Sequence, residues 1–313
     1  MDDHSYTTEE VARLLKVSKL TVYDLIKKEK LPAFRVGKQM RIDARDLELF
    51  KSRTKRGETR EATPPPPGES QSAPLSSTAD NSIIISGQDM SLDILAKYLE
   101  GREEKFRPLR SYVGSLNSLF SLFKEECDIV SVHLYDGESG EYNIPYVKRV
   151  LTGHDYLVVN LIRRQAGLYV PGGNPKNIQS WDDLKKPGLR LINREKGAGA
   201  RVLLDEQLRL LGVKGRDLTG YDQEETSHLG VAGAVRSNRA DVGVGIEKAA
   251  KIVGTGFIPL IQERYDLVLL KKPENQPLIA QTLAILQSET FQREIQSIGD
   301  YDLTLTGQVM YET

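Results

Sequence analysis

Thirty residues, Lys51 to Asp80, read KSRTKRGETREATPPPPGESQSAPLSSTAD, and no packed structure can be built from them. They hold almost no large apolar side chain and include four consecutive prolines, Pro64 to Pro67. Such a segment cannot bury enough surface to offset the entropy lost on ordering. The stretch 55–80 therefore reads as a linker, stiff near the prolines, where polyproline extends about 3.1 Å per residue, and looser on either side. Whatever the chain folds into must be made separately from 1–54 and from 81–313. In a chain of 313 residues this gives one small domain and one long enough for a sizeable core.

The charge is split along the same line. Residues 1–57 carry 14 Lys and Arg against 9 Asp and Glu, a net +5, so the overall −1 leaves −6 for the remainder. A basic head on an acidic body points to a polyanionic partner for the head alone. The lone Cys127 excludes an internal disulfide, and no Cys/His cluster has the spacing of a metal-cation site. No run of about 18 apolar residues and no basic-plus-apolar leader is present, so the expected location is cytoplasmic, without a membrane partner.

In the head, Thr7 and Glu10 have the capping-box spacing, and Val11, Leu14 and Leu15 supply an apolar face for a helix over 9–15. Ser18 can cap a second helix that packs Val22, Leu25 and Ile26 inward and leaves Lys19, Thr21, Tyr23 and Lys27 outside. Pro32 stops it, AFRVGKQMRI reads as two short strands around Gly37 and Lys38, and Asp43 caps a last helix over 44–51. Helix, turn, helix and wing is an arrangement that places its second helix in the major groove of double-stranded DNA. The stretches TTEEVARLLKVSKLTVYDLI and LPAFRVGKQMRI resemble the excisionase/MerR-type winged helix-turn-helix, the wing pattern falling on Val36, Gly37, Arg41 and Ile42. The resemblance implies DNA contacts from Ser18, Lys19, Thr21 and Tyr23, with Lys27, Arg35, Lys38 and Arg41 on the backbone. Asp24 departs from it, standing where many relatives carry a basic residue.

In the body, strands and helices alternate, which argues for α/β sheets. SIIIS, DIVSVHLYD, LRLIN and ADVGVGI read as strands; SLDILAKYLEG and ARVLLDEQLRLLG as helices; SWDDL as a helix opening capped by Ser180 toward Asp183. DYLVVNLIRRQAGLYV reads as strands with a break. Gly and hydroxyl residues recur where helices begin, in SGQD, YVGSLNSLFSL, REKGAGAR and ETSHLGVAGAV. Free N–H groups there can hold an anion, although plain N-capping needs the same residues.

The order of VGSLNSLFSLFKEECDIVSVHLYD, GNPKNIQSWDDLKKPGLRLINREKGAGAR, ETSHLGVAGAVRSNRADVGVGIEKAA and ERYDLVLLKK resembles the periplasmic-binding-protein-like (type II) fold of the molybdate- and tungstate-type branch. That implies a two-lobed α/β domain, lobe one over 82–167 and 266–313 and lobe two over 168–265, with ligand between. The implied ligand residues are Ser86, Gly87, Gly114, Ser115, Gly197, Ala198, Gly199, Ala200, Arg201, Thr226, Ser227 and His228. Ala198 and Ala200 stand where the pattern has hydroxyl residues, so main-chain donors and Arg201 remain at that loop. His133 is balanced between core and cleft, and Cys127 reads as a buried residue rather than a reactive thiolate. No nucleophile and base pair announces an enzyme, and no cofactor is expected.

The expectation is a one-component transcription regulator that binds operator DNA as a homo-oligomer, dimer or higher, and senses molybdate or tungstate. The rival is a molybdenum-cofactor-related or other small-molecule-binding protein whose head docks a protein partner, with Tyr112, Tyr135 and Tyr169 available as aromatic walls for a pterin.

Overall fold

The computed structural model describes residues 5–15, 22, 25–26, 31–36, 39–44, 47, 81–101 and 106–313. The chain divides into two units, Met1–Pro74 and Leu75–Thr313.

In the first unit, β1 (Ser5–Thr7) leads into α1 (Thr8–Leu15), and β2 (Phe34–Val36) and β3 (Gln39–Asp43) form the wing hairpin. The sheet order is β1-β3-β2, all antiparallel, with Tyr6 opposite Ile42. The third strand, β1, goes beyond the two expected. The capping box is formed: the Thr7 N–H donates to Glu10 Oε2 at 2.8 Å, and the Glu10 N–H donates back to Thr7 Oγ1 at 3.3 Å. Val11, Ala12, Val22, Leu31, Ile42 and Leu47 make the core, with Leu15, Leu25 and Ile26 packed on it. Leu14, expected on that face, is 48% exposed. The buried stripe of α1 is Thr8, Val11, Ala12 and Leu15, and at about 100° per residue Leu14 lies roughly 110° from its centre.

The second unit begins with a parallel α/β run: β4 (Ser82–Ser86), α2 (Ser91–Glu100), β5 (Arg107–Ser111), α3 (Ser115–Phe123) and β6 (Ile129–Val132). A small hairpin, β7 (Tyr135–Asp136) with β8 (Glu141–Tyr142), and α4 (Ile144–Val150) lead to β9 (Tyr156–Val170). After a 3₁₀ turn at Trp181–Lys185 come β10 (Leu191–Arg194), α5 (Gly199–Leu210), β11 (Glu224–Glu225), α6 (His228–Arg236), β12 (Val242–Ile246) and α7 (Glu247–Val253). The chain returns through β13 (Gly256–Leu270) and ends with α8 (Gln276–Leu286), α9 (Glu289–Ser297) and β14 (Val309–Glu312).

One curled sheet joins both lobes, in the order β11-β10-β12-β9-β13-β6-β4-β5, with β14 also on β9. Its spine is the antiparallel pair β9 and β13, which runs from Tyr156 opposite Leu270 to Val170 opposite Gly256 with register shifts between Pro259 and Ile261 and between Tyr265 and Asp266. The break expected in DYLVVNLIRRQAGLYV does not occur: β9 is a single strand of 15 residues. Leu157, Val159, Leu161 and Ile162 pack in one lobe's core and Ala166, Leu168 and Val170 in the other's. Between them lie the polar Arg163, Arg164 and Gln165, and there Arg164 lines the cleft. The turn at Trp181 is a 3₁₀ helix, with the Asp183 carboxylate accepting the N–H groups of Gln179 at 2.7 Å and Ser180 at 3.0 Å. No helix among the described residues is long and apolar enough to cross a membrane.

Candidate functional site

The second unit contains a cleft of about 580 Å³. Its floor is Arg164 on β9 and Tyr265 on β13; one wall is built from Gln88 to Met90 and Tyr112 to Gly114, the other from Thr226 to Leu229 and from α7.

The floor is a buried ion cluster. Arg164 Nε donates to Glu263 Oε1 at 2.7 Å, Nη2 lies 2.6 Å from the same oxygen, and Nη1 donates to Asp89. The guanidinium also stacks on the Tyr265 ring, 4.5 Å from its centroid. Asp89 is held further by the Ser91 N–H at 2.8 Å and the Tyr301 hydroxyl at 3.0 Å. Burial works against the Glu263 charge, but Arg164 and then His133 outweigh it and bring its pKa down to about 2. His133 Nδ1 lies 2.9 Å from Glu263 Oε2 without forming a hydrogen bond. One guanidinium between two carboxylates leaves the floor with no spare positive charge.

A second cluster ties the lobes together. Arg194, at the end of β10, donates from Nε to Glu195 at 2.7 Å and from Nη2 to Gln88 Oε1 at 2.6 Å. Beside it the Leu116 N–H, in the first turn of α3, donates to the Gly197 carbonyl at 3.0 Å. The approach is so close that a Cβ on Gly114 would lie 2.9 Å from Ala198 Cα, and one on Gly199 would lie 2.4 Å from the His133 ring. Gly197 itself has φ +87°, which a side chain would strain. The loop expected to hold an oxyanion is thus docked on the first turn of α3.

The expected ligand residues separate accordingly. Gly114, Thr226, Ser227 and His228 line the large cleft. Gly87, Gly114, Ser115, Ala198 and Gly199 surround a recess of only about 10 Å³, space for about one water. Ser86 bonds the Ser118 hydroxyl at 2.9 Å, Ala200 packs in a lobe core, and Gly197 and Ser86 line neither space. Arg201 is buried on Asp205 at 3.0 Å and Glu224 at 2.9 Å, with its guanidinium over Tyr221, away from both spaces.

His228 opens α6 behind the cap of Ser227, whose Oγ accepts the Gly230 N–H at 3.0 Å. Its Nδ1 is buried without a partner. Burial, then Arg194, Arg164 and His133, push its pKa well below 6.5, so the ring is neutral at physiological pH. His133, at the end of β6, is buried and lines the cleft. Cys127 is buried and its thiol is pushed up to about 12 by burial, with Asp128 and Glu126 adding, so it stays protonated. Among the described residues no group of three His, Cys, Asp or Glu is placed to hold a metal ion.

Arg164, Asp89, Glu263 and Arg194 were not anticipated as site residues. The available signal was a pair of charged residues inside each of two apolar strands, Arg163-Arg164 and Glu263-Arg264. In the first unit, Arg35 lies on β2 and Arg41 on β3, so both are on the wing. Ser18, Lys19, Thr21, Tyr23, Lys27 and Lys38 lie outside the described residues.

A PBP superfamily domain model matches residues 96–287, and a helix-turn-helix domain model matches residues 5–55. The uncharacterized protein YvgK of Bacillus subtilis (strain 168) is 52% identical over 309 residues, 99% of this chain and 98% of that protein. Among solved structures, the sulfate-binding protein SubI from Mycobacterium tuberculosis H37Rv superposes with a TM-score of 0.51 at 14% identity, over 70% of this chain and 85% of that one. PhnD1 from Prochlorococcus marinus (MIT 9301), in complex with methylphosphonate, gives 0.51 at 12% identity, over 72% and 93%. These two likenesses show the fold.

Proposed function

The chain belongs to the PBP superfamily domain family and carries a helix-turn-helix domain at its N-terminus, and from that pairing we propose that it is a one-component transcription regulator. The head binds operator DNA and the cleft of the body senses a small ligand. The observation that carries this reading is the presence, on one chain, of a capped helix with a wing hairpin and a separate unit with a 580 Å³ cleft between two lobes. The work of the cleft is binding rather than chemistry, and the cytoplasm, where the operator is, is its place.

For the mechanism, ligand closes the lobes, and closure alters the spacing of two heads in a dimer. Half-sites read by such heads lie about 34–36 Å apart or at multiples of that, so small changes in spacing change affinity. The ligand must bind the two arrangements unequally to do so. Gel shift of the full chain with and without ligand tests this; equal operator affinity in both lanes would sink the switch.

For the ligand, the order of the loops supports an oxyanion, molybdate or tungstate, on the first N–H groups of α6 beside Ser227 and without a side-chain cation. Calorimetric titration with molybdate, tungstate, sulfate and phosphate tests it, and no heat from any of the four ends the oxyanion reading. A larger ligand is favoured by the cleft volume, which lies within the range of about 300–1,000 Å³ typical of organic-ligand sites.

A further inference from the structure

From the cleft's walls we infer that it takes a planar organic molecule with at most one negative charge, its ring lying along Tyr112 and Ile252. This rests on the reading of the cleft as the sensing site and takes up the larger ligand that the cleft volume favours, in place of molybdate or tungstate.

Large apolar side chains are exposed at this cleft from both lobes. Tyr112 is 63% exposed and Ile252 61%, with Met90 and Leu229 about half exposed beside them. Exposed apolar surface gathered around one concavity, rather than scattered, marks a binding site. Tyr112 does not owe its position to core packing. The Arg110 guanidinium lies 5.0 Å from its ring centroid, and Arg110 is fixed by Asp93 at 3.0 Å and by the Gly87 carbonyl at 3.0 Å. An exposed aromatic ring at a cavity, held by a fixed guanidinium, offers a surface on which planar rings stack.

The charges limit the ligand further. Arg164 is shared by Asp89 and Glu263, and Arg194 by Glu195 and Gln88. Among the described residues lining the cleft, Lys248 is the cation without a carboxylate partner; its Nζ donates to the Ile298 and Gly299 carbonyls and sits 4.7 Å over the Tyr301 ring. A dianion would enter with one opposing side-chain charge at most, and an unpaired charge is costly to desolvate. The small recess at Ser115 and Gly199, where convergent helix starts would hold a four-oxygen anion, is already taken by the docked 195–199 loop.

The test is native mass spectrometry of the full chain after incubation with either of two probes: the low-molecular-mass filtrate of a deproteinised Bacillus subtilis lysate, or sodium molybdate and tungstate. The expected result is an adduct whose exact mass is that of an organic compound absorbing in the near ultraviolet. Its occupancy should fall about tenfold or more in Tyr112→Ala and Ile252→Trp, a loss of about 1.4 kcal/mol per tenfold, and remain unchanged in the distant Lys185→Ala. Both altered cleft positions are surface-exposed, so these variants fold; circular dichroism confirms it. An adduct with only the isotope pattern of molybdenum or tungsten overturns the ligand class while leaving the sensing cleft intact. An organic adduct undiminished in both cleft variants overturns the cleft as the site, and no adduct from either probe overturns both.

Discussion

Arg164 sits between two buried carboxylates at the floor of the cleft. It holds two buried carboxylates, Asp89 and Glu263, and removing it leaves both without their counter-charge. Arg164→Ala should therefore cost about 3–5 kcal/mol, read as a lower midpoint for the body in urea, because breaking a buried pair from one side is far worse than replacing it whole. The double change Arg164→Met with Glu263→Gln should recover part of that loss. Within the cleft, acid should act on Glu263 and on His228. Glu263, held at about 2 against an ordinary 4.5, contributes stability that is complete above 4.5 and lost as pH falls toward 2. His228 acts earlier: the unfolded chain takes up a proton below 6.5 that the folded site resists, so stability falls as pH drops below 6.5. In His228→Gln the slope of stability between pH 6.5 and about 5.5 should flatten by up to about 1.4 kcal/mol per pH unit, seen in melting temperature against pH. The cap at Ser227 could be read from the sequence because a hydroxyl before a helix is a local signal. The Arg164 cluster could not, since its partners are 75 and 99 residues away and only the sheet brings them together.

At the scale of elements, the contact between the 195–199 loop and the start of α3 depends on absent side chains. Gly199→Ala puts a methyl group into the His133 ring and should cost about 1–3 kcal/mol. Gly233, in the middle of α6, has nothing near the position of a Cβ, so Gly233→Ala should instead stabilise by up to about 1 kcal/mol. Thermal melts of the two variants beside the parent separate a packing glycine from a merely permissive one. Most helices and strands of the body were legible from period and caps. The 15 residues of β9 were not read as one strand, because the rule that polar residues interrupt a strand assumes they face water. Here Arg164 faces a carboxylate pair instead, and Arg163 reaches Asp302 at 2.6 Å. Leu14 failed for the opposite reason: an apolar residue close in sequence to the stripe was counted as part of it, although its angle puts it outside.

At the scale of the whole molecule, the head should supply affinity for DNA and the body its control. Arg41→Ala on the wing should weaken operator binding and reduce the salt dependence of log K by about one contact's worth, measured by fluorescence anisotropy at several salt concentrations. A head that docks a protein would show no such slope. The path of the chain adds an order of events. The first unit closes on its own core before the body begins, whereas the core around β4 and α2 needs Leu278, Phe291 and Ile295, and β9 needs β14 at Val309–Glu312 beside it. Translation at about 5–20 residues per second releases the head first and completes this half of the body only with the last residues. A ribosome-stalled chain ending near 255 should therefore present a protease-resistant head attached to a protease-sensitive lobe. During synthesis the head is therefore complete for about 12–46 s before the body that the proposed function makes its sensor, so in a nascent chain it is not yet subject to the ligand.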